Sequence, residues 1–318
     1  MTRNTGILRH HHITLNVGTA QEDYDFHTKV LGLKSVKKTC VYTGRMPLHH
    51  LYYGNDVGQE STLVTCFTMR RFGRRGRPGA GQITALALSV PVSSLSFWEA
   101  HLREHGFDVS WGERFGEKLI SFHHPCGIEY QLVGIADDGR TPYSNGVVPA
   151  GFGIRGTHGI VVSVREIENS DRFMQEVWSG GRRRSDGAFV RYEVGAGGSG
   201  TIVDFNVNPT SPVGTCGYAE GVVDHCAFQV ENLDVQSDIK AHLEAVGYAD
   251  VSDRKDRGYF DSVYLRTPGG PLFEAAVSKE KGFLVDESYA DLGKSLKTSP
   301  QFEERKESLV AMLDPLVY

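Results

Sequence analysis

His10-His11-His12-Ile13-Thr14-Leu15-Asn16-Val17 reads as a strand near the start of the chain, and together with the segment after it this strand decides the fold. Over residues 22–30 apolar side chains recur at three- and four-residue spacing, the period of a helix with one buried face. That helix stops at Gly32, the residue type best able to take the left-handed capping conformation. The pattern then returns three times, at intervals of roughly 70 residues, which is a duplication at the level of a module rather than a solenoid repeat. Opening strands fall at residues 13–17, 84–90, 159–164 and 227–230. Helices come next at 22–30, 94–104, 168–178 and 235–245, with glycine stops at Gly32, Gly106, Gly180 and Gly247. Short strands come after the helices, and closing strands at 62–67, 128–133, 201–207 and 272–277 end the units. Each unit is βαβββ.

One such unit leaves an unpaired sheet edge and an uncovered apolar face, so units must pair into curved sheets around a cleft. The expected class is α+β, with four βαβββ modules forming two curved-sheet barrels. Residues 7–136 hold modules one and two, and 150–278 hold modules three and four. The Gly-, Pro- and Asn-rich stretch 137–155 is the natural linker. The tail, 279–318, carries one helix-like stretch at 301–313 and is expected to pack on the surface.

Composition narrows the function. At 318 residues, 40% hydrophobic, 23% charged and net charge −5, the chain has the make-up of an ordinary globular protein of about two domains. Arg70-Arg71, Arg74-Arg75 and Arg77 sit in a Gly/Pro-rich loop and Arg182-Arg183-Arg184 form a second cluster. Nucleic-acid binding needs a basic face over a whole domain, and here the balance is acidic. No apolar stretch approaches the roughly 20 residues that cross a bilayer, and the start lacks the pattern of a secretory leader. The five cysteines, at 40, 66, 126, 216 and 226, form no CxxC pair, so a reduced cytoplasm is expected. Homo-oligomerisation is left open.

The chemistry lies in the first and last strands. Aligning the repeats puts His12, Ala85, His158 and His225 at one opening-strand position, and Thr65, Tyr130, Asp204 and Glu274 at one closing-strand position. His225 and Glu274 share a module and are the firm pair; the second imidazole is His12 or His158. Two imidazoles and one carboxylate are the set that holds a non-haem ferrous ion, Fe(II), while leaving positions open for substrate and oxygen. The polar, histidine-rich surroundings of His12 favour it over His158, which precedes a plain apolar strand. Taken singly, each of these residues is ordinary strand content; their repeat-equivalent placement is what argues for a site. His49, His50, His123 and His124 lie on inner strands and should line or support a cleft.

Several stretches carry a family resemblance: His11-His12-Ile13-Thr14, Gly18-Thr19-Ala20-Gln21, Ser252-Asp253-Arg254-Lys255, Arg257-Gly258-Tyr259-Phe260, Arg266-Thr267-Pro268-Gly269-Gly270 and Ser299-Pro300-Gln301-Phe302. With the four modules, they make the chain resemble the vicinal oxygen chelate superfamily, and within it the single-subunit hydroquinone 1,2-dioxygenases. The resemblance implies an iron(II)-dependent enzyme opening hydroquinone or a methyl- or chlorohydroquinone with O2, beside a hydroxylated carbon. It also implies that one ligand comes from the first module, His12, so that modules one and four share the active cleft. Ordinary extradiol enzymes take all three from the second half, which would require His158.

Register supplies the supporting residues. Tyr264 precedes Glu274 through the Thr267-Pro268-Gly269-Gly270 turn and should pair across from it. Arg257 could anchor an anionic oxygen, or form a surface ion pair with Asp253 or Asp256. Thr14 shares a strand face with His12, whereas His11 points away in an ideal strand and needs an irregular strand start to contribute. His11, Thr14, Arg257 and Tyr264 match positions the resembled family uses around its iron. At Asp224 the chain departs from it, since the relatives commonly carry a second histidine before the ligand. The rival readings are a catechol extradiol dioxygenase, a glyoxalase-like isomerase, which wants a second carboxylate ligand, and a drug-binding module with an empty cleft.

Overall fold

The βαβββ unit is built four times. The computed structural model describes residues 5–318 apart from 43, 45, 180, 182, 216 and 299, so the helix stop expected at Gly180 lies outside the described residues, as do Arg182, Cys216 and Ser299. Module one comprises β1 (Ile7–Val17), α1 (Ala20–Asp25), β2 (Lys34–Tyr42), β3 (Pro47–Gly54) and β4 (Leu63–Thr68). Module two has β5 (Gln82–Pro91), α2 (Leu95–Glu104), β6 (Ser110–Arg114), β7 (Glu117–His123) and β8 (Glu129–Ile135). Module three continues with β9 (Gly156–Val164), α3 (Glu168–Phe173), β10 (Arg183–Asp186), β11 (Phe189–Glu193) and β12 (Ile202–Val207). Module four has β13 (Val222–Val230), α4 (Leu233–Ala245), β14 (Lys255–Asp256), β15 (Phe260–Arg266) and β16 (Leu272–Ser278). The tail adds β17 (Leu296–Thr298) and α5 (Lys306–Val310).

Two differences from the expected elements have physical causes. The opening strand β1 begins at Ile7 rather than at residue 13, because the polar run His10-His11-His12 is itself buried in the sheet. The helices of modules one and three are shorter as α-helices and continue as a wider π turn, Phe26–Val30 and Met174–Trp178, which lets one extra residue into the last turn.

The modules pair out of chain order. One nine-stranded sheet runs β14-β15-β16-β13-β1-β4-β3-β2-β17, joining modules four and one through the antiparallel β1–β13 pair. The other, eight-stranded, runs β10-β11-β12-β9-β5-β8-β7-β6 and joins modules three and two through β9 and β5. Each sheet curves around its own cleft, and one large apolar cluster, with Phe26, Trp98, Phe173, Trp178, Phe228 and Phe273 among its buried members, ties helices to both sheets.

The tail goes deeper than surface packing. Strand β17 extends the sheet alongside β2, and Lys37, fully buried on β2, is neutralised by Asp286 at 2.7 Å and by Glu287. A buried ammonium is tolerated only when paired, so the tail completes module one electrostatically. No helix among the described residues is long and apolar enough to cross a membrane.

Candidate metal centre

Register across the nine-stranded sheet brings the chemistry together. His12 on β1 lies opposite Ala227 on β13, Ala227 lies beside Glu274 on β16, and Glu274 lies opposite Tyr264 on β15. His225, two residues before Ala227, shares its face and lies opposite Thr14. A single row therefore carries His12, Glu274 and Tyr264, and the next carries Thr14 and His225.

The donor atoms converge. His12 Nε2 is 3.3 Å from His225 Nε2 and 3.7 Å from Glu274 Oε2, and His225 Nε2 is 3.0 Å from Glu274 Oε2. Three ligands at right angles around one ion, with bonds of roughly 2.1 Å, lie about 3 Å apart, so these edges fit a facial set. Glu274 Oε2 is buried without a hydrogen-bond donor of good geometry, the state of an oxygen placed to meet a cation. These three residues could hold a metal ion.

Each ligand is oriented from behind. His225 Nδ1 is 2.7 Å from Asp224 Oδ1, and Asn16 Nδ2 donates to Asp224 Oδ2 at 3.0 Å. Asp224 thereby supplies a carboxylate acceptor for the second nitrogen of His225, the partner that an imidazole binding a metal through its other nitrogen would need. The Ser262 hydroxyl donates to Glu274 Oε1. A bulge in β1 between His10 and His12 resolves the expected difficulty with His11, whose Nδ1 comes to 2.8 Å from His12 Nδ1.

Electrostatics reflect burial and pairing. Burial pushes the His12 imidazole well below its ordinary pKa. Burial also disfavours charge on His225, but the hydrogen bond to Asp224 and the facing Glu274 carboxylate outweigh it and bring it to about 9. Burial raises Glu274, yet the two facing imidazoles, His12 first and His225 with its proton, and the Ser262 hydrogen bond hold it well below the carboxylate range. In the metal-free chain His225 thus carries a proton facing Glu274 until the pH rises past about 9. A cation must displace it, so affinity should weaken about tenfold for each pH unit lowered between pH 8 and pH 6. Titration with Mn(II) or Co(II) across that range checks this; a flat affinity would show that no ligand proton is released.

The remaining candidates surround the triad. Thr14 Oγ1 lies 2.9 Å from His225 Nε2 and 2.8 Å from Thr65 Oγ1. Tyr264 packs edge-on to His225 with ring centroids 5.7 Å apart. Arg257, exposed at the rim, donates from Nε to the Tyr264 hydroxyl oxygen at 3.0 Å and lies over its ring, rather than pairing with Asp253 or Asp256. Those acids pair with Lys240 and Lys279. Beyond Thr65, His50 is neutral, its pKa lowered to about 3 chiefly by burial, and takes the Tyr52 hydroxyl at 2.8 Å.

His158 is elsewhere. In β9 the pairing with β5 steps from Gly159 to Thr157, so His158 occupies a bulge, the place of His11 rather than of His12. Gly159 stands at the ligand position, since Val161 pairs with Asp204 as Ala227 pairs with Glu274. The repeat alignment is one residue out there, and Gln131 rather than Tyr130 takes the closing-strand place in module two. His158 Nε2 lies 3.4 Å from Glu117. Asp204 accepts from Arg114 Nε at 2.7 Å and Arg191 Nε at 2.7 Å, so the second cleft is filled by its own ion pairs.

Of the other histidines, His49 turns to the tail and meets the Asp314 carbonyl at 2.8 Å, and His123 is exposed at the end of β7. His124 lies just past β7 and faces Asp23 at 3.3 Å. Asp23, His27 and Cys66 also bring ligand atoms near one another. There His27 Nδ1 is committed to the Asp23 carbonyl at 3.0 Å and Nε2 to the Tyr130 hydroxyl at 2.8 Å, so hydrogen bonds occupy that cluster. Ser262, Asn16 and Phe260 were not singled out from sequence. Ser262 and Phe260 could have been, since they share the Tyr264 face of β15 at two-residue spacing.

Comparison with known proteins gives the chain its family. A chlorohydroquinone/hydroquinone 1,2-dioxygenase of Sphingobium indicum is 43% identical over 311 residues, 96% of each chain. The chain belongs to that family of ring-cleaving dioxygenases. The family lies within the vicinal oxygen chelate superfamily. Another relative, MhqO of Bacillus subtilis, provisionally named a ring-cleaving dioxygenase, is 30% identical over 305 residues, covering 96% of this chain and 95% of that protein. A crystal structure from B. subtilis, provisionally named a dioxygenase, superposes on this dioxygenase with a TM-score of 0.89 at 30% identity, covering 100% of this chain and 99% of that one. Glyoxalase I of Zea mays, 14% identical with a TM-score of 0.61 over 87% of this chain and 94% of that one, shares the fold. No family model matches the chain.

Proposed function

We propose that the chain is an iron(II)-dependent dioxygenase that opens hydroquinone, or a methyl- or chlorohydroquinone, between a hydroxylated carbon and its neighbour, adding both atoms of O2. The observation that carries this is the convergence of the buried ligand atoms of His12, His225 and Glu274 within 4.8 Å of one another in a chain 43% identical to a hydroquinone-cleaving enzyme.

His12 and His225, each through Nε2, and Glu274 through Oε2 would hold the ion, and a nitrogen–oxygen set with open positions suits ferrous iron. When bound, the iron supplies one-electron exchange between an electron-rich ring and dioxygen. The chain's own groups position the ring and handle its protons. Because Arg257 donates to the Tyr264 oxygen, the Tyr264 hydroxyl hydrogen is left to reach a substrate oxygen beside the triad. Tyr264 stays protonated, since burial and the Glu274 charge push its pKa up. The hydroxyls of a hydroquinone are para, so only one can lie at the triad. The polar row Thr14, Thr65, His50 and Tyr52 offers the other a partner. Phe260, whose ring centroid is 4.9 Å from that of His12, keeps water from that side.

A reduced cytoplasm suits both ferrous iron and the free, buried thiols of Cys40, Cys66, Cys126 and Cys226. The test is anaerobic reconstitution with ferrous ion and then oxygen uptake. Uptake is expected with hydroquinone and its methyl and chloro derivatives; uptake with catechol alone would overturn the substrate assignment.

A further inference from the structure

We infer that Glu60 and Ser278 are positioning residues for the metal centre, acting through His11 to fix the tautomer and raise the basicity of His12. The inference rests on His12 being a ligand, as proposed above.

Donors and acceptors have to alternate along this row of groups. An imidazole that binds a cation through Nε2 carries its proton on Nδ1, and that proton needs an acceptor. For His12 the atom within reach is His11 Nδ1, at 2.8 Å. Accepting there forces the His11 proton onto Nε2, which lies 2.9 Å from Ser278 Oγ. The serine hydroxyl then donates to Glu60 Oε1. Every link has one donor and one acceptor, and the row ends on a carboxylate. Run in reverse, it would put the His12 proton on Nε2, facing the triad, and would need a proton on Glu60. Glu60 is disposed to stay ionised: burial raises its pKa, but the hydrogen bonds from the Ser278 hydroxyl and from its own backbone amide bring it below the ordinary value.

The backbone around Glu60 is built to hold it. Asn55 Oδ1 accepts from the Gly58 and Gln59 amides at 3.1 and 3.0 Å, closing the turn before it. Ser61, next in sequence, sits at φ 65°, a left-handed conformation that a non-glycine residue keeps only where its surroundings impose it. Its amide donates to the His11 carbonyl at 3.1 Å, and its carbonyl accepts from Thr157 N at 2.8 Å and Arg140 Nη1 at 2.6 Å. The loop is thereby locked onto the bulged residue of β1. His11, Glu60 and Ser278 line a cavity of about 190 Å³, and none of the three proposed ligands lines it. The relay therefore runs from the triad to a separate opening.

The test compares Glu60→Gln, Ser278→Ala and Ser278→Thr proteins with wild type, by Co(II) and Fe(II) binding and by the ferric/ferrous midpoint potential. Loss of such an outer partner is expected to weaken metal binding about 10- to 100-fold. It should also raise the potential, because the ligand donates less charge to the metal. Both effects are expected in Glu60→Gln and Ser278→Ala, with Ser278→Thr restoring wild-type values. Wild-type affinity and potential in Glu60→Gln and Ser278→Ala would overturn the inference, as would a Ser278→Thr protein as weak as Ser278→Ala. A wild-type protein that fails to bind metal, or a His12→Ala protein that binds it as well as wild type, would instead overturn the ligand assignment.

Discussion

A Glu274→Ala protein is expected to lose bound metal and oxygen uptake together, by roughly a thousandfold or more, which is several kcal/mol of lost stabilisation. Glu274 is fully buried and is the sole anion of the triad. Without it a dication would face two neutral imidazoles in a low-dielectric wall, and its desolvation would go uncompensated. The fold should survive, because His225 can shed the proton it shares with Glu274 and the Ser262 hydroxyl can turn to another acceptor. Metal content by elemental analysis and a thermal melt of the same sample separate the two effects. A Glu274→Ala protein that keeps its metal would show that the carboxylate only spaces the strands.

Tyr264→Phe is expected to behave differently. Ring packing against His225 is retained and only the hydroxyl goes. Metal content should hold, while kcat falls by about a hundred- to a thousandfold, the usual cost of one positioned donor in a dry site. The Arg257 guanidinium, which lies over the same ring, loses its acceptor and is not a substitute for it, since a guanidinium does not give up its proton in a protein. Steady-state oxygen uptake with hydroquinone reads this directly. Unchanged kcat with a raised KM would mean that Tyr264 binds the ring without handling its proton.

Much of this architecture could be read without coordinates, for identifiable reasons. The units were legible because helix periodicity and glycine stops such as Gly32, Gly106 and Gly247 are local signals. His12, His225 and Glu274 stood out because such residues are rare on strands that should be apolar. What was hidden depends on pairing between distant segments. The bulges at His11 and His158 carry no compositional mark, yet they decide which imidazole faces a cleft. Lys37 reads as an exposed residue because its partners Asp286 and Glu287 lie far along the chain in the tail. Ser262 is an unremarkable serine until β15 lies beside β16. Glu60 sits in a polar turn with nothing to single it out until that turn closes over His11.

The proposed chemistry depends on the metal lying in the cleft shared by modules one and four. Metal content of His12→Ala and His158→Ala proteins, each reconstituted anaerobically with ferrous ion, tests this most directly. His158→Ala is expected to retain wild-type iron and His12→Ala to retain almost none. Iron lost from His158→Ala and kept in His12→Ala would contradict that placement.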